Sequence, residues 1–375
     1  MYLKIENKSL SLNYKNDLNK LKIKKINILD MNRKELINFF LKISEKSFRA
    51  KQVMKWIYHN QCNNFDKMSN INSKLKLKLK NNLEIKIPKI NKQYISNDGT
   101  VKWIIQIENQ KIETVYIPEK NRSTLCISSQ IGCYLKCSFC STAKQGFNRN
   151  LKTSEIIGQI LIANKYINLY NFKKKKFITN IVIMGMGEPL LNFKNVKKSI
   201  DIMVDNFGFF ISRRKITIST SGIVPIIKKL HYINISLAIS LHAPNDIVRN
   251  KIMPINIKYN IKSLISSIRI YIKKSKKKNK RVTIEYVMIN NINDKIEHAY
   301  ELAKLLKNIN CIINIIPFNN FPGSKYKCSS KKKIKIFHKI LINYGFITII
   351  RKTRGSDINA SCGQLVGSVI NRIKI

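Results

Sequence analysis

Strand-like and helix-like segments alternate along the chain from about residue 123 to residue 350. The strand-like segments are short apolar runs, and the segments between them carry apolar residues at helical spacing. Repeated strand–helix units predict a parallel sheet with helices on its outside. A closed (β/α)8 barrel would need more units. The alternation therefore predicts an α/β fold with a partial, six-stranded (β/α)6 barrel.

The predicted elements of this core have the following boundaries. The strands are Thr124–Ser128, Asn180–Met184, Lys215–Ser219, Ile235–Ser240, Val282–Met288, Ile312–Ile316 and Phe346–Ile350. The helices are Thr153–Ile167, Phe193–Asp205, Ile223–Leu230, Ile261–Lys273, Lys295–Leu306 and Lys332–Tyr344. In sheets of this kind the active groups gather at the carboxyl ends of the strands. Polar residues at those ends are therefore the first candidates for a functional site.

The chain before residue 119 is organised differently. Residues 1–28 are polar and rich in Lys and Asn, which predicts a partly disordered N-terminus. Residues 29–92 contain three helical patterns and predict a small, basic accessory domain. Residues 93–118 include a β-hairpin that leads into the core domain at 119–352, and a C-terminal segment follows at 353–375. The predicted helices begin near Asn32, Arg49 and Ser73, and the hairpin lies between Thr100 and Ile117.

The net charge is +49, from 70 Lys and Arg against 21 Asp and Glu. Such a surplus favours a polyanionic partner, with nucleic acid as the first candidate. Ile, Lys and Asn are all abundant, so drift in an AT-rich genome accounts for part of the surplus. No apolar stretch approaches the ~18–20 residues that span a bilayer, and the N-terminus lacks a secretory signal. We therefore expect a cytoplasmic protein that binds no membrane and keeps its eight cysteines reduced.

Three of the cysteines, Cys133, Cys137 and Cys140, stand in the run G-C-Y-L-K-C-S-F-C. Three thiolates on one short loop can bind three irons of a [4Fe–4S] cluster and leave the fourth iron open to a small molecule. A structural zinc site is the alternative, but it usually takes four ligands in two pairs. The nearest further thiols, Cys126 and Cys311, do not provide that pairing. The spacing resembles the signature of radical S-adenosylmethionine (SAM) enzymes, in which the methionine amino and carboxylate groups bind the open iron.

The run M-G-M-G-E-P-L-L-N at residues 184–192 follows a predicted strand. Gly185 and Gly187 permit close approach of a ligand to the backbone, and Glu188 offers a carboxylate to an ammonium group. A dinucleotide site is the alternative, but the third glycine and the later ribose-binding acid have no counterpart. The run therefore favours a site for the amino group of SAM.

Further polar residues follow successive predicted strands. They could bind the ribose, adenine or carboxylate of the same cofactor, although each alone would more often be a structural hydrogen-bonding residue. Their position on successive strand ends makes them candidates. These residues are Ser219, the triplet Ser240, Leu241 and His242, and Asn319.

Two more cysteines need an explanation. Cys126 lies on the first predicted core strand, and Cys362 lies among small residues in the run R-K-T-R-G-S-D-I-N-A-S-C-G-Q-L. Small neighbours and a following glycine suit a thiol that must reach into a reaction centre. The alternative for either is a buried, inert cysteine. That interpretation is the one we adopt for Cys62, Cys311 and Cys328.

Longer stretches of the chain, covering roughly residues 28–375, resemble the RlmN family of radical SAM RNA methyltransferases. This family methylates adenine C2 in ribosomal and transfer RNA. One departure is Asn320, where the family pattern leads us to expect proline. The shared runs are F-R-A-K-Q-V-M-K-W-I-Y-H at 48–59, E-T-V-Y-I-P-E at 113–119, T-L-C-I-S-S-Q-I-G-C at 124–133, F-C-S-T-A-K-Q-G-F-N-R-N at 139–150, S-L-H-A-P-N-D at 240–246 and the C-terminal C-G-Q-L.

The resemblance implies a radical SAM barrel and a radical reaction, because adenine C2 is too electron-poor to attack a sulfonium methyl group. It implies one [4Fe–4S] cluster per chain and two SAM molecules per turnover. The first SAM methylates Cys362; the second gives a 5′-deoxyadenosyl radical that takes hydrogen from this methyl group, and the carbon radical adds to C2. Cys126 then promotes proton loss from C2 and displaces the product by forming a disulfide with Cys362. Glu113 is either the proton acceptor or a group that orients ligands.

The resemblance also implies the substrates and partners. The substrates are an adenosine in the peptidyl-transferase or exit-tunnel region of 23S rRNA and adenosine 37 of some tRNAs, and the helical accessory domain binds RNA. A flavodoxin-type protein is the expected electron donor, and the chain is expected to be a monomer. The sister enzyme that methylates adenine C8 is one alternative, and a zinc-containing RNA-binding protein without catalysis is another. The extended match of the N-terminal helical unit and the C-terminal segment favours C2.

Overall fold

The computed structural model describes residues 25–169, 178–275 and 280–372. Most of the predicted disordered N-terminus, residues 1–24, lies outside them. The first described element is the short strand β1 (Ile26–Asn27), which pairs in parallel with β2 (Leu83–Glu84). Regular structure therefore begins by Ile26, slightly before the boundary predicted at residue 28.

One large sheet forms the centre of the molecule. The strands after β2 are β3 (Lys89–Ile95), β4 (Val101–Ile107), β5 (Gln110–Pro118), β6 (Ser123–Cys126), β7 (Gln130–Gly132), β8 (Phe147–Asn150), β9 (Asn180–Ile183), β10 (Ile216–Thr220), β11 (Ser236–Ser240), β12 (Val282–Met288), β13 (Cys311–Pro317) and β14 (Ile347–Ile350). Their order across the large sheet is β14-β13-β12-β11-β10-β9-β6-β5-β4-β3, and β7 and β8 pair separately.

Within the large sheet, neighbouring strands from β6 to β14 are all parallel, whereas the separate pair β7–β8 is antiparallel. This arrangement confirms the predicted α/β core of strand–helix units, with β14 as a seventh parallel strand at one edge. The predicted hairpin is formed by β4 and β5, which are antiparallel, and β5 joins β6 with Val115 opposite Cys126. The hairpin therefore extends the same sheet. Strand β3 was not predicted, because as an edge strand it is almost wholly exposed and lacks a buried apolar face.

Helices cover the sheet and form the N-terminal unit. They are α1 (Arg33–Lys42), α2 (Arg49–Tyr58), α3 (Ser73–Asn82), α4 (Ser141–Lys144), α5 (Thr153–Leu169), α6 (Phe193–Val204), α7 (Val224–Ile227), α8 (Asp246–Ile252), α9 (Ile255–Lys258), α10 (Ile261–Lys274), α11 (Ile296–Leu306) and α12 (Lys331–Asn343). The helix predicted at Ile223–Leu230 is a single turn, α7. Three short helices, α4, α8 and α9, were not predicted; the side chain of Asn245 caps α8. Among the described helices, we find none with the length and apolar character of a membrane span.

The N-terminal helices pack on the barrel and are not separated from it by a linker. Phe40, Met54 and Leu75 belong to the same buried apolar cluster as the barrel strands. At the edge of this contact, Arg33 Nε lies 3.0 Å from Asp205 Oδ2, just beyond α6. Because one apolar core joins the two parts, the N-terminal unit is held next to the sheet.

Candidate active site

A cleft opens at the carboxyl ends of the parallel strands. It contains about 970 Å³ of empty space, part of which is open to solvent. Predicted site residues Leu241, Asn319, Glu113 and Cys126 are not among its lining residues. The predicted residues that do line it are Cys133, Cys137, Cys140, Gly187, Glu188, Ser219, Ser240, His242 and Cys362.

The loop between β7 and α4 carries the three clustered cysteines. Gly132 has φ 73°, and a Cβ at this position would collide with the Gly146 carbonyl oxygen, so glycine is required directly before Cys133. The Cys133 N–H donates to the same carbonyl oxygen at 2.8 Å, and the Ser138 N–H donates to the Ile252 carbonyl at 3.0 Å. These bonds fix the loop between β8 and α8, with its thiols lining the cleft.

The three thiols form a donor set that suits an iron–sulfur cluster. Burial raises the pKa of Cys137 to about 12, and it also raises the pKa values of Cys133 and Cys140. Such thiols become thiolates when a bound cation offsets their charge. In the described ranges, no group of three or more His, Cys, Asp or Glu side chains is arranged to hold a single metal ion. A [4Fe–4S] cluster takes one thiolate per iron, so the three thiols of this loop suit it.

Glu188 lies beside the cysteine loop and is 2% exposed. Its Oε2 accepts a hydrogen bond from the Ser221 N–H at 2.7 Å, and its Oε1 accepts one from the Leu190 N–H at 3.1 Å. Burial raises its pKa, and the hydrogen bonds oppose this shift. Gly187 has φ 97°, and a side chain there would collide with Gln130. The glycine is therefore required by packing against Gln130, and the buried carboxylate in the cleft wall suits a ligand that carries an ammonium group.

Two serines line the cleft at neighbouring strand ends. Ser219 Oγ and Ser240 Oγ lie 3.5 Å apart, so one ligand with vicinal hydroxyls can reach both. Leu241 behaves differently, because its side chain is fully buried in the core and does not line the cleft. Its backbone N–H donates to the Glu285 carbonyl at 3.2 Å.

His242 is buried in the wall of the cleft. Its Nδ1 accepts a hydrogen bond from the Val287 N–H at 3.1 Å, and its ring meets Phe139 edge-on with centroids 4.9 Å apart. Burial, together with the nearby Arg249 charge, lowers the pKa of His242 from its usual 6.5 to about 3. The ring is therefore neutral at physiological pH and acts as a hydrogen-bond acceptor.

The neutral state of His242 predicts an acid-sensitive fold. Because the folded-state pKa is depressed, the stabilising contribution is present above pH 6.5 and is lost as the pH falls towards about 3. Because of this residue, the free energy of unfolding should fall by about 1.4 kcal/mol for each pH unit of acidification within that range. We expect His242→Gln to show a shallower pH dependence than the unaltered chain in denaturant unfolding at pH 7 and pH 5. His231→Gln, at an exposed site, is the control, and equal slopes in all three proteins would contradict the prediction.

Two charged residues in the cleft, Glu285 on β12 and Arg351 after β14, were not predicted. Asn314 Nδ2 donates to Glu285 Oε1 at 3.1 Å, whereas Arg351 Nη1 lies 3.7 Å from Oε2, which makes no hydrogen bond. The Arg351 charge lowers the pKa of Cys126, and the Cys362 charge raises the pKa of Arg351. The sequence contained a signal, because an acid inside the apolar strand V-T-I-E-Y-V-M must find a partner when buried.

Arg249 is a second structural feature that the sequence did not predict. It is fully buried, and its guanidinium donates to the carbonyl oxygens of Leu241 at 3.0 Å, Ser221 at 2.7 Å and Ser240 at 3.2 Å, and to Asn256 Oδ1 at 2.8 Å. Burial lowers its pKa to about 10. One side chain therefore ties together the carboxyl ends of β10 and β11, the strands that carry the candidate ligand-binding serines.

Cys126 and Cys362 are brought close to each other at the side of the cleft. All eight cysteines are free thiols in this structure; Cys362 is exposed and Cys126 is partly buried. Burial, together with the negative charge of a Cys362 thiolate, raises the pKa of Cys126 to about 12. Asn319 reaches this region through its Nδ2, which donates to the Cys362 carbonyl at 3.2 Å. The predicted pair of thiols thus shares one microenvironment with Arg351.

Glu113 lies on β5, outside the cleft lining, and is 2% exposed. Its Oε1 lies 3.2 Å from Lys102 Nζ, and its Oε2 accepts a hydrogen bond from the Val366 N–H at 2.9 Å. Burial raises its pKa, and the Lys102 charge opposes the shift. Both carboxylate oxygens are therefore engaged with the protein.

Comparisons with known proteins cover both the helical unit and the cleft. The model of the ribosomal RNA large subunit methyltransferase N-terminal domain matches residues 26–85, and that of the radical SAM superfamily matches residues 127–303. The chain is 60% identical over 351 residues to the dual-specificity RNA methyltransferase RlmN of Wigglesworthia glossinidia brevipalpis, covering 93% of this chain and 92% of that protein. It is also similar to the crystal structure of a radical SAM methyltransferase from Sphaerobacter thermophilus. That match has a TM-score of 0.85 and 35% identity, and it covers 91% of this chain and 99% of the other.

Proposed function

The chain belongs to the RlmN family of radical SAM RNA methyltransferases, and we propose from this premise that it methylates adenine C2 in 23S rRNA and tRNA. The observation that carries the proposal is the cleft, which combines three cluster thiols and Glu188 with two further thiols, Cys126 and Cys362, at its side. A polar methyl transfer needs neither a cluster nor two further thiols. Adenine C2 is too electron-poor for such a transfer, so the extra groups match the harder reaction.

Radical SAM family membership implies a [4Fe–4S] cluster and SAM. We propose Cys133, Cys137 and Cys140 as the ligands of one cluster per chain. When bound, the cluster and SAM supply the hydrogen-abstracting radical, with one further SAM used as methyl donor in each turnover. Gly187 and Glu188 would hold the SAM amino group, where the buried carboxylate gains a cationic partner.

The strand-end residues would hold the rest of SAM. Ser219 and Ser240, with hydroxyls 3.5 Å apart, suit the ribose. His242 offers a neutral ring in the wall of the cleft, and Leu241 supports the serine loop from the core. Asn319 would act at the rim, because its amide already reaches the Cys362 segment.

The two thiols at the side of the cleft would divide the remaining work. Cys362 is exposed and would carry the methyl group that becomes joined to C2. Cys126 would accept the C2 proton and then release the product by forming a disulfide with Cys362. The surplus electron passes to the electron carrier, for which a flavodoxin-type protein is our candidate, and a thiol reductant restores both cysteines. Burial raises the pKa of the Cys126 thiol to about 12, and the Arg351 charge opposes this shift, which helps the thiolate that Cys126 needs as a base.

We also propose how the chain binds RNA, its oligomeric state and its location in the cell. The net charge of +49 suits RNA, and the basic N-terminal unit packed on the barrel is the proposed RNA-contacting accessory domain. The target base must leave any base pair to reach the cleft. We propose a monomer in the cytoplasm, where thiols stay reduced.

The test is an analysis of the methylated nucleoside. Anaerobically reconstituted protein, SAM and a reductant are incubated with unmodified 23S rRNA or tRNA, and the digested nucleosides are compared with 2-methyladenosine and 8-methyladenosine standards. We expect 2-methyladenosine from both RNAs, and none from a transcript in which guanosine replaces the target adenosine. An 8-methyl product would establish the sister activity instead. The match over residues 26–85 favours C2.

A further inference from the structure

The segment that carries Cys362 contains no helix or strand between Gly355 and Val366. A segment without its own hydrogen-bond ladder must be positioned by contacts with the rest of the protein. The placement of a reacting thiol depends on such contacts, because a displacement of about 1 Å can cost about 10²-fold in rate. Next to the thiol, Asn319 Nδ2 donates to the Cys362 carbonyl at 3.2 Å, the Ser141 N–H donates to the Gly363 carbonyl at 2.8 Å and Thr142 Oγ1 donates to the Leu365 carbonyl at 2.8 Å. The antiparallel hairpin β4–β5 supplies contacts at the two ends of the loop.

An ion pair on this hairpin contacts the segment on both sides of Cys362. Lys102 Nζ lies 3.2 Å from Glu113 Oε1, and the two side chains are only 8% and 3% exposed. Lys102 Nζ also donates to the Asn359 carbonyl at 3.2 Å, and Glu113 Oε2 accepts from the Val366 N–H at 2.9 Å. Asn359 precedes Cys362 by three residues and Val366 follows it by four. One buried pair therefore fastens both ends of a short loop that has the thiol near its middle.

Other contacts anchor the segment farther from the thiol. Asp98 Oδ2 accepts a hydrogen bond from the Gly355 N–H at 3.0 Å, and Gln110 Oε1 accepts one from the Ile370 N–H at 3.0 Å. These outer contacts do not involve the ion pair. Loss of the pair should therefore loosen the loop around Cys362 while the segment as a whole stays attached.

The same contacts make Glu113 unsuitable as a base. A proton acceptor must come within about 2.6–3.2 Å of the proton's atom, directly or through one water. Glu113 is 2% exposed, and both of its oxygens are already engaged by Lys102 and the Val366 N–H. Protonation of the carboxylate would also remove the partner of a buried lysine.

We propose that Lys102 and Glu113 form a clasp that positions the Cys362 loop, and that Glu113 is a positioning residue and does not accept the C2 proton. The inference rests on the proposed function only for the role of Cys362. The clasp itself is a statement about how the loop is held, so it can be tested without RNA or cofactor.

The first experiment measures the loop directly. Hydrogen exchange of the peptide covering residues 356–366 and the rate of Cys362 alkylation by iodoacetamide at one fixed pH are compared in the full-length chain. The variants are Glu113→Gln, Lys102→Met and the double variant, which leaves no unpaired buried charge. Glu108→Gln, an exposed carboxylate on the same hairpin, is the matched control. We expect about tenfold faster exchange of this peptide and altered alkylation in all three clasp variants, and unchanged values in the control.

The double variant should be no worse than either single variant, because partners in one interaction are not additive. Exchange and alkylation that are unchanged in all three clasp variants would overturn the proposal. Neither readout depends on methylation of RNA, so failure of the clasp and failure of the proposed function remain distinguishable.

The second experiment separates positioning from proton transfer in the cluster-loaded enzyme. A clasp acts before RNA is involved, so Glu113→Gln and Lys102→Met should both lower the methyl occupancy of Cys362, measured by peptide mass spectrometry, by a similar factor. Lys102→Met removes no base, and this makes it the decisive comparison. Normal Cys362 methylation in Glu113→Gln with accumulation of a protein–RNA adduct, alongside normal turnover of Lys102→Met, would show that Glu113 is the proton acceptor and would overturn the proposal.

Discussion

The Cys126→Ala variant should form a covalent bond to RNA that it cannot break, so that a protein–RNA adduct accumulates. Release of methylated RNA should fall by roughly 10²–10⁴-fold, the usual contribution of a positioned acid or base. Cys126 lies close enough to Cys362 for the charge of one thiolate to raise the pKa of the other, and it shares the Arg351 guanidinium with it. Without the Cys126 thiol, no group accepts the C2 proton, and none breaks the carbon–sulfur bond that joins Cys362 to the base.

The adduct can be measured on a denaturing gel with labelled RNA. After nuclease digestion, mass spectrometry should find an adenosine attached through a methylene group to the peptide that contains Cys362. Cys311→Ala is the matched control, because Cys311 is a buried thiol on β13 outside the cleft. The control should turn over normally. Free RNA together with normal turnover in Cys126→Ala would remove Cys126 from the mechanism.

The parallel core could be predicted because each strand is a short apolar run and each crossover carries a helical period. Elements that show neither a short apolar run nor a helical period were not predicted. Strand β3 exposes most of its side chains and belongs to the sheet through its pairing with β4. The helix predicted at 223–230 is one turn long, and the apolar pattern that suggested a longer helix belongs to side chains packed from separate turns.

Candidate site residues could be proposed from the sequence where their chemistry is local. The cysteine loop and the Gly187–Glu188 pair are continuous in sequence, so their residue types alone pointed to a ligand. Glu285 and Arg351 were not predicted, because they come together only when their separate strands are placed in the folded sheet. The contact between Glu113 and Val366 joins residues 253 positions apart, so the sequence could only leave the role of Glu113 open.

Removing a single cluster thiol should have the broadest effect of any substitution in the cleft. In Cys137→Ala the loop loses one of three donors, and the two that remain cannot hold three irons. Loss of an outer partner of a metal ligand already costs about 10–100-fold, so loss of a ligand should cost more. We expect iron and sulfide content, formation of 5′-deoxyadenosine and RNA methylation all to fall to background.

Parallel measurements on one preparation distinguish this loss from unfolding. Cys62→Ala, which removes a thiol of the N-terminal unit that bonds the Asn64 carbonyl, should keep its cluster and its activity. Cys137→Ala should retain the circular dichroism spectrum of the metal-free chain, because the loop is also held by backbone bonds to β8 and α8. A full, reducible cluster with normal 5′-deoxyadenosine formation in Cys137→Ala would show that Cys137 is not a ligand. Stoichiometric zinc without a reducible cluster in the unaltered chain would instead favour a non-catalytic RNA-binding protein, because all radical steps depend on iron bound at this loop.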